Sequence, residues 1–168
     1  MKQNRYFLIL IILLLSMTTK SCNEIPNTDF QCYDLIEDMG KMYKNKKLYS
    51  GSCYTVYTED DTLIDEIRSY KKGIRHGLWA KYYQNGQLKY VGNAKKGEIH
   101  GNYKSYRENG LLAEEGRMKL GYKNRVWKYY DLGGNLEKKE LYRKRTLVDE
   151  TYTNPAINSI IKNRKKNE

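Results

Sequence analysis

Three stretches of this chain can be laid over one another without a gap. Gly77-Leu-Trp-Ala-Lys-Tyr-Tyr, Gly101-Asn-Tyr-Lys-Ser-Tyr-Arg and Arg125-Val-Trp-Lys-Tyr-Tyr-Asp recur with a period of about 24 residues, and such self-similarity is the mark of a repeat architecture. The register holds through the whole unit. Trp79, Tyr103 and Trp127 correspond, as do Tyr82, Tyr106 and Tyr130. Asn85-Gly86 matches Asn109-Gly110 and Gly133-Gly134, and Leu88 matches Leu112 and Leu136. Lys96-Gly97 matches Leu120-Gly121 and Lys144-Arg145. An earlier unit starts at Gly51 with two extra residues; there Cys53 takes the aromatic place, Leu63 matches Leu88 and Lys72-Gly73 matches Lys96-Gly97.

Each unit reads as a β-hairpin. The Trp- and Tyr-rich first strand suits β structure. Asn-Gly or Gly-Gly then offers two residues that tolerate positive φ, as a two-residue type I′ turn requires. A second strand follows around Leu88, Leu112 or Leu136, and a glycine-containing link leads into the next hairpin. In unit one Glu59-Asp60-Asp61-Thr62 stands where Asn-Gly belongs, which predicts a longer turn. Trp79 and Tyr82 lie three apart, so either a bulge breaks the register or both faces of one sheet carry aromatics. A lone hairpin is marginal in water, so each must gain stability by stacking on its neighbours.

Composition agrees with a thin structure. From Cys22 onward Leu, Ile, Val and Phe make up about 18% of residues, below the roughly 20% usual for a globular chain, while 16 of the chain's 17 Tyr and both Trp supply ring area instead. A thick aliphatic core of the doubly wound or TIM type is excluded. The expected fold class is all-β: an elongated single-layer antiparallel meander of stacked β-hairpins, with Lys and Arg stems covering part of the faces.

The chain opens on a basic start and an unbroken apolar run, Phe7 to Leu15, too short to span a bilayer as a helix and suited to a signal peptide. Ser21-Cys22 follows directly, and a small residue before Cys at this place resembles the lipobox of bacterial lipoproteins. The resemblance implies cleavage before Cys22 and acylation of its thiol; acyl chains add about 0.8 kcal/mol of membrane affinity per buried CH₂. The other readings are an ordinary secretory signal with Cys22 a bystander, and an uncleaved anchor. The expected organisation is residues 1–21 leader, 22–34 lipid anchor and tether, 35–50 an opening half-repeat, 51–148 four hairpin repeats and 149–168 a basic tail. In an oxidising compartment Cys32 and Cys53 could pair as a disulfide, or remain two buried thiols. Leu35 to Tyr43 has apolar spacing that suits a short helix, but Gly40, together with a resemblance of this segment to a known repeat family, favours a strand. The tail past Pro155 reads either as a helical cap or, preferentially, as a frayed terminus.

The pattern G-x-W/Y-x-x-Y/F, then N-G-x-L, then a Lys-Gly link resembles the variant MORN repeat. It is similar in particular to the bacterial YwqK-family proteins, antitoxins of toxin–antitoxin systems. Leu35 to Gly51 resembles that family's opening half-repeat, Gly77 to Leu88 is close to its consensus, and Arg68 to Gly77 resembles its link. The resemblance implies stacked hairpins and a binding or scaffolding role, with a toxin as one partner. Arg125 and Arg145 depart from it, each replacing glycine, as in a decaying terminal unit.

These readings favour a protein-binding module at the bacterial cell envelope, held to the membrane by lipid on Cys22. Trp79, Tyr83, Tyr90 and Trp127 are candidate contact residues, with Tyr83 and Tyr90 preferred because they fall outside the repeat's aromatic pair. The full chain has a net charge of +11, and the part from Cys22 onward keeps +8, which gives an alternative, binding of anionic lipid or another polyanion. Nucleic acid is disfavoured by compartment. No enzymatic role is expected and no cofactor or metal: His76 and His100 are repeat-mates explained by link geometry, and the acids at Glu59, Asp60, Asp61, Asp65 and Glu66 lack calcium-loop spacing.

Overall fold

The computed structural model of the protein describes residues 30–166. The expected leader, the acylation site Cys22 and all of the tether before Phe30 lie outside the described residues. From Gly51 the chain runs back and forth through nine strands: β4 (Gly51–Val56), β5 (Ile64–Lys71), β6 (Ile74–Tyr82), β7 (Leu88–Lys95), β8 (Glu98–Tyr106), β9 (Leu112–Lys119), β10 (Tyr122–Tyr130), β11 (Leu136–Arg143) and β12 (Thr146–Tyr152). They form one open antiparallel sheet in strict sequence order, a meander of consecutive hairpins that does not close into a barrel. Ahead of it, β1 (Ile36–Asp38), β2 (Lys41–Lys44) and β3 (Lys47–Leu48) make a separate small sheet. Thus the segment from Leu35 is β rather than helical, but it does not extend the main sheet. It docks on the first link, where Gly73 accepts from the Met42 amide and donates to the Tyr49 carbonyl.

The two turn types are exchanged relative to the sequence reading. The links are the two-residue type I′ turns: Lys72-Gly73, Lys96-Gly97, Leu120-Gly121 and Lys144-Arg145 all have positive φ at both positions. The Asn-Gly loops hold three residues. The Tyr83 amide bonds the Gln87 carbonyl and the Gly86 amide turns back to the Tyr83 carbonyl. Only Gly86 there has positive φ; Asn85 instead uses its side chain, which accepts from the Gln87 amide at 2.9 Å. Asn109 repeats this with Leu111. In the last unit, where Gly133 takes the Asn place, Asp131 accepts from the Gly133 and Asn135 amides. In unit one the loop is longer, as expected, closing from Tyr57 to Leu63.

Bulges recur with the period. The register shifts at Thr55/Val56, Lys81/Tyr82, Ser105/Tyr106 and Tyr129/Tyr130. Next to each of the first three shifts a side chain reaches across to the following repeat. The Tyr57 hydroxyl donates to the Tyr82 carbonyl (2.6 Å), the Tyr83 hydroxyl to the Tyr106 carbonyl (2.9 Å), and Arg107 to the Tyr130 carbonyl (2.7 Å). These bonds tie each hairpin to the next in addition to the strand ladder. Tyr82, Tyr106 and Tyr130 pair with Leu88, Leu112 and Leu136 beside the same bulges.

Core burial is concentrated at the N-terminal end. Cys32, Leu35, Cys53 and Tyr70 form a cluster, with Phe30, Met42 and Tyr49 packed against it. Cys32 and Cys53 are joined as a disulfide across a sequence separation of 21. At the other end the main sheet runs past the expected boundary at residue 148, since β12 continues to Tyr152. The tail then forms helix α1 (Pro155–Lys166) rather than fraying after Pro155. Asn158 on α1 fixes it: its side-chain amide accepts from the Tyr152 amide at 2.7 Å and donates to the Tyr152 carbonyl, satisfying the end of an otherwise open edge strand. Among the described residues no helix is long and apolar enough to cross a membrane.

Candidate functional site

Pairing register divides the sheet into two faces. On one, a row crosses all nine strands through Cys53, Arg68, Trp79, Gly92, Tyr103, Gly116, Trp127, Glu140 and Glu150. Rings alternate with glycines because each ring lies over the strand beside it. A Cβ on Gly116 would come within 2.4 Å of the Trp127 indole, so this glycine is required by packing. The rings touch in series: Trp79 to Tyr90 at 4.4 Å between centroids, Tyr90 to Tyr103 at 6.3 Å and Tyr103 to Trp127 at 5.6 Å. These are distances at which aromatic pairs attract beyond their buried area.

A buried carboxylate closes each end of this ladder. Glu66 is 5% exposed and accepts from the Trp79 indole N–H and from Arg68. Burial pushes its pKa up, but the hydrogen bonds from Arg68 and Trp79 outweigh that and hold it below the ordinary carboxylate value. Glu140 is 8% exposed and accepts from the Tyr129 and Tyr142 hydroxyls and from Lys138. Burial raises its pKa as well, and those three donors lower it further than burial raises it. Tyr129 is held far above the ordinary phenol value by burial and by the Glu140 acceptor. Tyr90 is pushed up to about 12, by burial first and then by the Glu66 charge. Toward β12 the aromatic contacts give way to cations over rings: Lys123 lies 4.3 Å from the Trp127 centroid and Lys138 lies 4.5 Å from that of Tyr129.

The candidate contact residues are therefore placed unequally. Trp79, Tyr90 and Tyr103 form a half-buried strip along one face, whereas Trp127 is 1% exposed and serves as packing. Tyr83 and Tyr90, preferred as lying outside the repeat pattern, both have structural duties: Tyr83 is the inter-repeat hydrogen bond to Tyr106, and Tyr90 is a rung of the ladder. Gly77 and Gly101 hold positive φ of 100° and 95°, the conformation that explains glycine there. His76 and His100 sit on β6 and β8 with β7 between them, and are not brought together. The acids of unit one also separate: Asp60 accepts from Thr62, Asp65 pairs with Lys81 at 3.3 Å, and Glu66 belongs to the ladder. Gly92 and Gly116 were not singled out by the sequence reading, although they share the repeat period; that coincidence was the available signal. Compared with known protein families, with characterised proteins and with solved structures, the chain matches none.

Proposed function

We propose that the chain is a non-catalytic binding module of the variant MORN type, similar to YwqK-family proteins, held at the bacterial cell envelope by lipid on Cys22. Its ligand in this reading is another protein, a toxin being one candidate. The observation that supports it is the Trp79–Tyr90–Tyr103 strip. These are large rings, half-exposed, and fixed in place before any partner arrives by the ladder and by Glu66. Aromatic anchors that need no ordering on binding are what strong protein contacts are built from.

A second reading, binding of anionic lipid or another polyanion at the membrane surface, is favoured by the net charge of +8 that remains from Cys22 onward, with 28 Lys+Arg against 20 Asp+Glu. Crosslinking and pull-down of the full-length acylated protein from its own envelope separates the two. One stoichiometric protein partner, lost in a Trp79→Ala/Tyr103→Ala variant, supports the first. Recovery of lipid alone, weakening steeply with salt, supports the second. Cys22→Ala abolishes fatty-acid labelling if the anchor is as proposed; persistent labelling refutes it.

A further inference from the structure

Three of the four link turns are tied to the preceding link by the same backbone bond, and the fourth, although its flanks Arg143 and Thr146 pair, is not. The Gly73 amide donates to the Tyr49 carbonyl (2.7 Å), Gly97 to Arg75 (3.0 Å) and Gly121 to Ile99 (2.9 Å). Tyr49, Arg75 and Ile99 are equivalent positions of successive repeats, and Lys123 is the next. The fourth link is Lys144-Arg145, and among the described residues its Arg145 amide makes no backbone bond to Lys123. A groove of about 620 Å³ lies between the link of β9–β10 and the link of β11–β12.

Its walls carry Lys119, Lys123, Arg125, Arg143, Lys144 and Arg145, and no carboxylate. Lys123 pairs with Glu114 at 3.4 Å; the other five enter no ion pair among the described residues. Two of them replace glycine. Arg125 stands at the position of Gly77 and Gly101 and has φ of 63°; Arg145 stands at the position of Gly73, Gly97 and Gly121 and has φ of 73°. Both arginines thus occupy a left-handed backbone position that the other repeats fill with glycine, Arg145 within the link turn and Arg125 on the strand that follows the previous link. Random decay of a terminal repeat has no reason to install the same cation at both glycine positions around one groove.

We propose that this groove binds an acidic peptide segment of a protein partner. The floor argues for a peptide over a small anion: Leu120 and Tyr122 are 42% and 47% exposed, and a bare phosphate would leave them wet. A segment with an apolar side chain between carboxylates covers them while Arg125, Arg143 and Arg145 receive the carboxylates, which planar guanidinium groups match in pairs. Arg145 already lies 4.0 Å from the Tyr122 ring centroid, which orients its guanidinium at the groove. The proposal rests on the protein-binding reading for the nature of its ligand, and adds the place and the charge of the contact.

The test uses the full chain and a fluorescent peptide of alternating glutamate and leucine, followed by polarisation. The wild type binds saturably, more weakly as salt rises. Arg125→Gly/Arg145→Gly restores the repeat's own glycines, so folding is preserved, and affinity falls at least about tenfold. Lys71→Gln/Lys95→Gln removes the same charge away from the groove and changes affinity less than about twofold by the same scale. Equal losses in the two variants, or none in the arginine variant, overturn the proposal. So does tighter arginine-dependent binding of tripolyphosphate or of phosphatidylglycerol vesicles, which would make the groove a phosphate or membrane site. If the peptide fails but the envelope pull-down still captures one protein through Trp79 and Tyr103, the protein-binding reading survives and this site does not.

Discussion

The two halves of the main sheet share a backbone pattern and differ in what lies on it. On the face opposite the ladder, one row runs Tyr54, Ile67, Ala80, Val91, then Lys104, Glu115, Lys128, Lys139. In the first half Ile67 is 0% and Ala80 is 2% exposed. In the second half Glu115 bridges Lys128 at 2.9 Å and Lys104 at 3.7 Å, with partly exposed side chains. The first half also carries the disulfide and the docked small sheet; the second carries cations over rings, a link not tied to its predecessor and two arginines at glycine positions of the repeat. On this face the same hairpin geometry is thus held by burial at one end and by polar contacts at the other, whereas on the ladder face Trp127 is buried in the second half as well. Strand order and bulges follow from the repeat, whereas stability follows from what fills it.

The difference can be broken most directly on that row. Ile67→Ala removes a fully buried side chain and is expected to cost about 2–5 kcal/mol in denaturant unfolding. Glu115→Gln, which removes the Lys104 and Lys128 ion pairs of that row, is expected to cost less than about 1 kcal/mol. Equal costs would dissolve the contrast. Cys32→Ser/Cys53→Ser releases a loop whose closure is worth about 3 kcal/mol in the chain-entropy account. The loss should appear as faster amide exchange in β4 and β5, with β10–β12 little changed.

The ladder offers a comparison between two glycines at one repeat position. Gly116→Ala drives a methyl into the Trp127 indole and is expected to destabilise by about 1–3 kcal/mol. Gly92→Ala meets its nearest atoms at 3.5 Å, ordinary contact, and is expected to be within about 1 kcal/mol of neutral on either side. Arg125→Gly relieves a positive φ and should stabilise by no more than about 1 kcal/mol, since glycine also gains freedom when unfolded. The finest probe is acid unfolding. Glu66 and Glu140 both have pKa values lowered in the fold, so their stabilisation is present above the ordinary carboxylate value and lost as pH falls through the folded values. Glu66→Gln should flatten the acid dependence of exchange in β5 and β6, and Glu140→Gln that in β10 and β11. No change in either would mean that these carboxylates are not held by their donors.

Much of this was legible from one alignment of the chain with itself. Matching Trp79 to Tyr103 to Trp127 is enough to predict a meander of stacked hairpins, and the extra residues of unit one predict its longer loop. The turn types were not legible, because Asn-Gly suits two geometries. What decides between them is whether Asn85 takes positive φ or hydrogen-bonds the Gln87 amide, and the latter wins. The position of Tyr83 was misjudged for a related reason: Tyr57, Tyr83 and Arg107 share a role but not a residue type, so the repeat hides it. Arg125 and Arg145 look like decay in sequence, and only the fold shows that they line the same groove. Nothing in the local sequence marks Glu66 and Glu140 as buried; the fold does so by setting them against the Trp79 indole N–H and the Tyr129 hydroxyl.

The central claim is that these hairpins lean on one another in series, firmly at the start of the sheet and less so at its end. Native-state amide hydrogen exchange, followed strand by strand in low denaturant, tests it most directly. The account predicts opening free energies that rise stepwise from β12 back to β5, with the largest values beside Ile67 and Cys53. A single opening free energy shared by all nine strands, or stronger protection in β11 and β12 than in β5 and β6, would contradict it.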